Sequence, residues 1–379
     1  MSLKKSSWLI DYAVKKPRSI VWMVGVFTLL LISLATLPSI WPDTFSTLHG
    51  LKVDTDPENM LSKDEPVRVF HNAAKKEFSL SDIVVVGIVN TEDKKGVFNP
   101  KSLTHIYELT NYAKTLNWSE NGEKHGVVEV DMIAPSVVDN IEQGGEGVVN
   151  FSWLMPKPPT SQQEATAIRD RAMHIPFLNG TMVSEDGKAI AVYLPLYSKH
   201  DSYEIRKKIL QYVAEWDSND RVLITGLPVA EDTFGVEMFK QMAISAPLAM
   251  LVIFGLLWFF FRNLILIISP MIVAMVSALS TMALLIITGN TIHIMSSMIP
   301  IFIMPIAVLD SVHILSEFFD RHQQIKDRRK TIVEVMKHLF MPMLFTSITT
   351  IAGFASLALT PIPPVQVFGI FVAIGVFLA

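Results

Sequence analysis

Residues 296–317 read SSMIPIFIMPIAVLDSVHILSE, and the reading of this stretch decides the fold. Ser296 to Leu315 has the apolar character and the roughly 20-residue length of a membrane-spanning helix, yet it contains Asp310. A carboxylate at membrane depth costs roughly 3 kcal/mol on insertion scales, and residues that bear such a cost usually face a bundle interior and carry protons, ions or ligands. On a helix, Asp310, His313 and Glu317 fall at i, i+3 and i+7, so one face carries three titratable groups. Glu317 reads as the polar end of the span. Asp310 is the candidate proton carrier. His313, one turn away, is the candidate to share its proton, since imidazole titrates near neutrality. Pro300 and Pro305 in the same segment would weaken the backbone ladder and allow the helix to flex.

Other apolar stretches make this one of several spans. Ser19 to Pro42 is uncharged and follows Lys4, Lys5, Lys15, Lys16 and Arg18. It exceeds the apolar core of a signal peptide, about 7–15 residues, and reads as a retained helix. After nearly two hundred residues come Gln241–Phe261, Asn263–Thr288, Thr291–Phe318 and Leu339–Thr360. In the last of these, Thr346, Ser347, Thr349, Thr350 and Gly353 form a small polar face suited to close helix packing. Thr346, Thr349 and Thr350 are the hydroxyls expected to face Asp310. The prolines at 361, 363 and 364 force a turn. An apolar run from Val365 then stops at Ala379, so the chain is expected to be cut short inside a sixth helix.

Half of the residues are hydrophobic and 18% are charged, a balance that fits a membrane protein with a large water-soluble part. The positive residues sort by loop: the N-terminal tail, Arg262, and the group Arg321, Lys326, Arg328, Arg329, Lys330 and Lys337 would be cytoplasmic. That last loop also reads as an interfacial helix. Residues 43–240 then lie outside as one domain. No basic patch interleaved with aromatics exists, so a nucleic-acid partner has no support. With no cysteine, disulfides, thiolate chemistry and Cys-based zinc sites are excluded, which suits a bacterial periplasm. No P-loop, Ser-His-Asp or HExxH pattern occurs, so catalytic and metal-ligating residues are expected to be none.

The outer domain alternates strands and helices. Asp82–Val89 is a buried-type strand, and Asn99-Pro100 opens a helix to about Leu116. Val127–Ile133 is a predicted strand, and Ser161–His174 a helix capped by Thr160 or Ser161. Thr181–Leu196 is a predicted hairpin turning at Glu185-Asp186-Gly187. Ser202–Trp216 is a helix and Val222–Thr225 a last strand. The repeated strand–helix–strand order suggests a ferredoxin-like split βαβ sheet. A loop flanked by the glycines of 144–147 and the prolines of 156–159 is inserted in it.

One span, a large outer α+β domain and then a cluster of five spans resembles the half-repeat of resistance-nodulation-division (RND) transporters, nearest to the MMPL, hopanoid-exporter and Patched-like branch. The resemblance is carried by DTDPENML at 54–61 with Asp64-Glu65-Pro66, by Thr225-Gly226-Leu227-Pro228, by Ala307–His313 and by FTSITTIAGFASLAL at 345–359. It implies an α-helical membrane protein of the bacterial inner membrane, with a cytoplasmic N-terminus and a periplasmic porter-like domain. It implies a secondary transporter that uses the proton gradient, with no cofactor, to move a hydrophobic substrate, expected to be a hopanoid- or sterol-like lipid. The proton-carrying role falls on Asp310. Many relatives have tyrosine or a second acid where this chain has Ser311, which leaves that residue as relay support only. The expected partners are the bilayer, the substrate, a second half-repeat or second protomer, and periplasmic proteins. Two other readings stay open: a lipid sensor that does not pump, and a SecDF-like accessory to protein export.

Overall fold

The computed structural model describes residues 10, 12–120 and 122–379; Lys4 and Lys5 of the basic tail lie outside the described residues. In chain order the first elements are α1 (Pro17–Ile40), α2 (Pro66–Glu77), β1 (Asp82–Val89), α3 (Pro100–Lys114), β2 (Asn117–Glu120) and β3 (Glu123–Gly126). Next come β4 (Asp139–Gly145), β5 (Val148–Trp153), α4 (Gln162–His174), β6 (Ala189–Leu196), α5 (Ser202–Val213) and β7 (Arg221–Thr225). The chain closes with α6 (Leu227–Phe261), α7 (Leu264–Ile287), α8 (Ile299–Ile325), α9 (Arg328–Ala355) and α10 (Pro363–Leu378). They form two units: Phe70–Thr233, and the residues up to Val69 together with Phe234–Ala379. The first is narrower than the 43–240 expected. The segment after α1 joins the membrane helices instead, because the backbone of Asp54 bonds to that of Ile292 (3.1 Å).

In the α+β unit, β1 is the middle strand of an antiparallel sheet of order β6-β1-β7. Alternation turns Val84, Val86 and Ile88 to one face, where they are fully buried with Leu103, Ile106 and Leu109 of α3 and Ile205 and Ile209 of α5. Burying each such side chain contributes about 1.5–3 kcal/mol. The helices start where local chemistry allows. The Asn99 side chain accepts the Ser102 N–H (2.9 Å) ahead of Pro100, and Ser161 caps α4. Glu164 reaches back to the Thr160 N–H (2.7 Å), and that bond holds its carboxyl below the usual carboxylate range.

Three expectations are corrected here. Residues 127–133 are not a strand: they bridge β6 only at Val127 and Ile133, with a 3-10 turn over Glu129–Asp131. Val127 is buried, so an unbroken strand would point Glu129 and Asp131 inward as well; the turn expels both. The sheet thus has three strands where a split βαβ pattern needs four. The inserted loop is a hairpin, β4–β5, with the 144–147 glycines at its turn. Of the Thr181–Leu196 hairpin, only the second arm is a strand. Val183 meets Ile190 in a single bridge, and Gly187 takes a positive φ of 71° at the turn.

Among the described residues, the other unit holds five helices long and apolar enough to cross a membrane, α1 and α6 to α9, together with the shorter apolar α10. Two are longer than expected. α6 starts at Leu227 rather than Gln241, because Pro228 sits in the first turn, where it is tolerated. The expected interfacial helix and fifth span are one helix, α9. Asp327 caps it by accepting the N–H groups of Arg329 and Lys330, and the Lys330 bond first of all holds its carboxyl below the usual range. Within the bundle, Ala274 and Ala278 of α7 pack on Met304, Ala307 and Val308 of α8. Thr28 of α1 meets Ser280 of α7 hydroxyl to hydroxyl at 3.2 Å. α10 approaches closely through Gly375, where a Cβ would overlap Ile303 of α8.

Gly226, between β7 and α6, has φ of 127°, and a Cβ there would collide with the carbonyl oxygen of Ile83. Gly226→Ala is expected to cost about 1–3 kcal/mol and to lower the melting temperature of the purified protein by several degrees. Gly255→Ala, where a Cβ meets nothing within 4 Å, should melt as wild type. Equal melting of the two variants would refute the assignment of strain to Gly226.

Candidate functional site

Asp310 lies midway along α8. The helix commits one side to packing, burying Ile299, Ile303, Met304, Ala307 and Val308. Asp310 is turned off that side and half-buried, towards α9. There its carboxylate accepts a hydrogen bond from the Ser347 hydroxyl at 3.3 Å. Ser347 also donates to the carbonyl of Met343 at 3.0 Å, so its proton is shared between its own helix and the aspartate.

The pairing continues along the two helices. Glu317 accepts from Arg321 (2.6 Å) and faces His338 of α9 at 3.7 Å. Arg321 in turn lies 3.9 Å from Glu334. Each cross-helix pair joins residues whose numbers rise on α8 as they fall on α9, as two antiparallel helices in fixed register require. The α8–α9 contact is therefore a polar seam, charged at the end where the two helices connect and reduced to one carboxylate and one hydroxyl further in. The arrangement sets a hydroxyl donor against the Asp310 carboxylate.

The other expected site residues fall elsewhere. His313 is exposed, and neither it nor Ser311 bonds Asp310. Thr346 donates to the carbonyl of Pro342 (3.0 Å), and Thr349 and Thr350 both donate to that of Thr346 (2.9 and 2.8 Å), so all three hydroxyls serve their own helix. Sequence reading placed Ser347 on the same polar face but passed over it as a partner. Spacing alone does not single it out, since Ser347 is nine residues from His338 while Asp310 is seven from Glu317. Pro300 is at the start of α8, where its missing N–H breaks no bond, so only Pro305 interrupts the ladder. Nor is Pro305 distinctive. Pro38, Pro247, Pro270 and Pro342 stand inside the other four long helices.

A second feature borders the same helix. α6, α7 and α8 enclose an open cavity of about 680 Å³ with almost no polar lining. Met242, Met250, Met271, Met275, Met282 and Met304 supply much of its wall. Methionine side chains are flexible and polarisable, so such a wall conforms to apolar shapes without dictating one. A further apolar cavity of about 490 Å³, between α6 and α8, runs from Pro305 to Ser316.

If Ser347 is the hydroxyl that meets the aspartate, the carboxyl infrared band that disappears in Asp310→Asn should shift in Ser347→Ala. It should stay in place in Thr349→Val. A band that moves with Thr349 and ignores Ser347 would reverse the assignment.

No curated protein matches the chain. The model of the MMPL family matches residues 110–379, which include most of the α+β unit and every membrane helix after α1. The chain therefore belongs to the MMPL family, of the RND type of transporter.

Proposed function

We propose that this chain is part of a proton-driven transporter that moves a hydrophobic molecule, best read as a lipid, and that Asp310 carries the proton. The contact between Asp310 and Ser347 across two membrane helices supports this reading most directly. Among the described residues the side-chain partner of this carboxylate is a neutral hydroxyl, and a carboxylate without a fixed counter-charge can have its charge cancelled by a proton and restored by losing it. Each elementary charge moved across 100 mV supplies about 2.3 kcal/mol. That is enough to bias the packing of α8 on α9.

The methionine-walled cavity supports an apolar substrate. Its volume lies within the range of about 300–1,000 Å³ typical of small-molecule sites, and its lining offers little to a polar ligand. We place the basic ends Arg262 and 326–337 in the cytoplasm by their positive excess, in the inner membrane of a bacterium. The α+β unit would then be periplasmic. Its three strands fit a split βαβ sheet whose fourth, edge strand is broken at Glu129–Asp131. The energy source is the proton gradient, and the reading requires no cofactor and no catalytic group. A second half-repeat or second protomer would complete the pathway, with periplasmic proteins as further partners.

The test is lipid movement driven by an imposed proton gradient in vesicles carrying the full protein. Asp310→Asn should reduce the gradient-driven rate by about a hundredfold, the low end for loss of a proton-transferring group, while lipid binding persists. Leu251→Trp, which intrudes on the methionine-walled cavity, should weaken lipid binding and leave proton uptake unchanged. Lipid binding that survives without gradient-driven movement even in the wild-type protein would favour a sensor instead.

A further inference from the structure

From Leu339 to Leu359, α9 and the short turn after it carry no charged residue, and this run has the roughly 20 residues that a span needs. Every Asp, Glu, Lys and Arg of α9 lies before it, between Arg328 and Lys337. Lys337 therefore stands where hydrocarbon gives way to head groups. At 1.5 Å per residue, Arg329 and Lys330 stand about 10–12 Å further out along the helix. The buried side of these turns is marked by Thr331 and Val335. Arg329, Lys330 and Lys337 are exposed, each more than a quarter turn from that side.

The acids of this end are turned to other tasks. Asp327 accepts the N–H groups of Arg329 and Lys330 (3.0 and 3.1 Å), so the start of the helix is already closed. Glu317 accepts from Arg321 and faces His338, in the contact between α8 and α9. Glu334 is i+4 from Lys330 and i−3 from Lys337, and so shares their stretch of helix surface. Its carboxylate faces Arg321 of α8, at 3.9 Å. Asp320 of α8 is the remaining acid. Among the described residues, no carboxylate comes within 4.0 Å of the side-chain nitrogens of Lys326, Arg328, Arg329, Lys330 or Lys337.

Five cations are thus gathered at one edge of the span, against Asp320 and Asp327. Their field extends over about 8 Å at physiological salt, and anionic head groups are what a surrounding bilayer can place within it. We propose that this face of α9 holds an anionic phospholipid, its phosphate on Lys337 and in the field of Arg329 and Lys330, its acyl chains along the uncharged turns that follow. Lysine suits the place, because its stem lies along apolar surface while its ammonium stays in the head-group layer. Val333 and Phe340, at i−4 and i+3 from Lys337, supply that surface. Recognition here is by charge, and is independent of which molecule the cavities beside α6 accept.

The test uses the full protein in phosphatidylcholine bilayers with a trace of spin-labelled phosphatidylglycerol or spin-labelled phosphatidylcholine. Electron paramagnetic resonance reads the share of each label that is slowed at the protein surface. Wild type should prefer the phosphatidylglycerol label several-fold, and less so as salt is raised. Replacing Arg329, Lys330 and Lys337 together by Gln should remove most of the preference, since each basic residue near a membrane surface changes the attraction several-fold. Replacing Lys15, Lys16 and Arg18 by Gln takes the same charge from the start of α1 and should leave most of it. Lys337→Gln alone, at an exposed position, should lower the preference, and Lys337→Arg should keep it. No preference in the wild type, equal loss from the two triple variants, or a preference that survives the α9 variants would each overturn the proposal.

Discussion

An aspartate at the depth of the hydrocarbon must carry a proton or be given polar company, and the packing of this bundle follows from that demand. One side of α8 is filled by Ile303, Met304, Ala307 and Val308, which close on α7 and admit α10 at Gly375. The side left over meets α9, and there the aspartate finds Ser347. The charged pairs nearer the helix ends, Glu317 with Arg321 and His338, contribute little energy, since part-exposed ion pairs are worth about 0–1 kcal/mol. Their effect is on register. They set which residue of α9 stands opposite Asp310, and a one-residue slip would replace a hydroxyl with an isoleucine or a threonine turned to its own backbone.

Much of this was legible from residue order. The valine–isoleucine run of β1 was read to its ends, because an unbroken run of branched apolar residues needs little else to define a strand. The caps Asn99 and Ser161 announced their helices. What escaped depended on partners distant in sequence. The run 127–133 has strand composition, yet its inward face would have carried two acids, and the conflict is visible only once Val127 is known to be buried. The β4–β5 hairpin hid behind its own glycines. The basic start of α9 looked like a separate surface helix because charge was weighed above continuity, although Asp327 was in place to cap it. In the site, Asp310 was found by its cost and Ser347 was not found, because four hydroxyls among the five residues 346–350 look alike until the angle of the neighbouring helix picks one.

The helices divide into two kinds by what touches them. α7, α8 and α10 are fitted to one another through alanines, a glycine and short polar side chains, and such surfaces leave few alternative arrangements. α6 is different: little of its apolar length is buried, and methionine and aromatic side chains line the cavities on its flanks. A close-packed pair transmits a change of charge as a discrete shift, while a loosely held helix can accommodate guests of varied shape. Both properties are placed next to α8, which carries the aspartate.

α6 also has a mechanical consequence. It is a single helix of 35 residues, about 52 Å at 1.5 Å per residue, and it begins directly after β7, with Gly226 as the one residue between them. A rod of that length is a lever. Pivoting it by about 5° at its far end would displace its start by roughly 4–5 Å, comparable to the spacing between neighbouring strands. Its first turn is joined to β7 without slack, because Gly226 sits at φ of 127° against the carbonyl of Ile83.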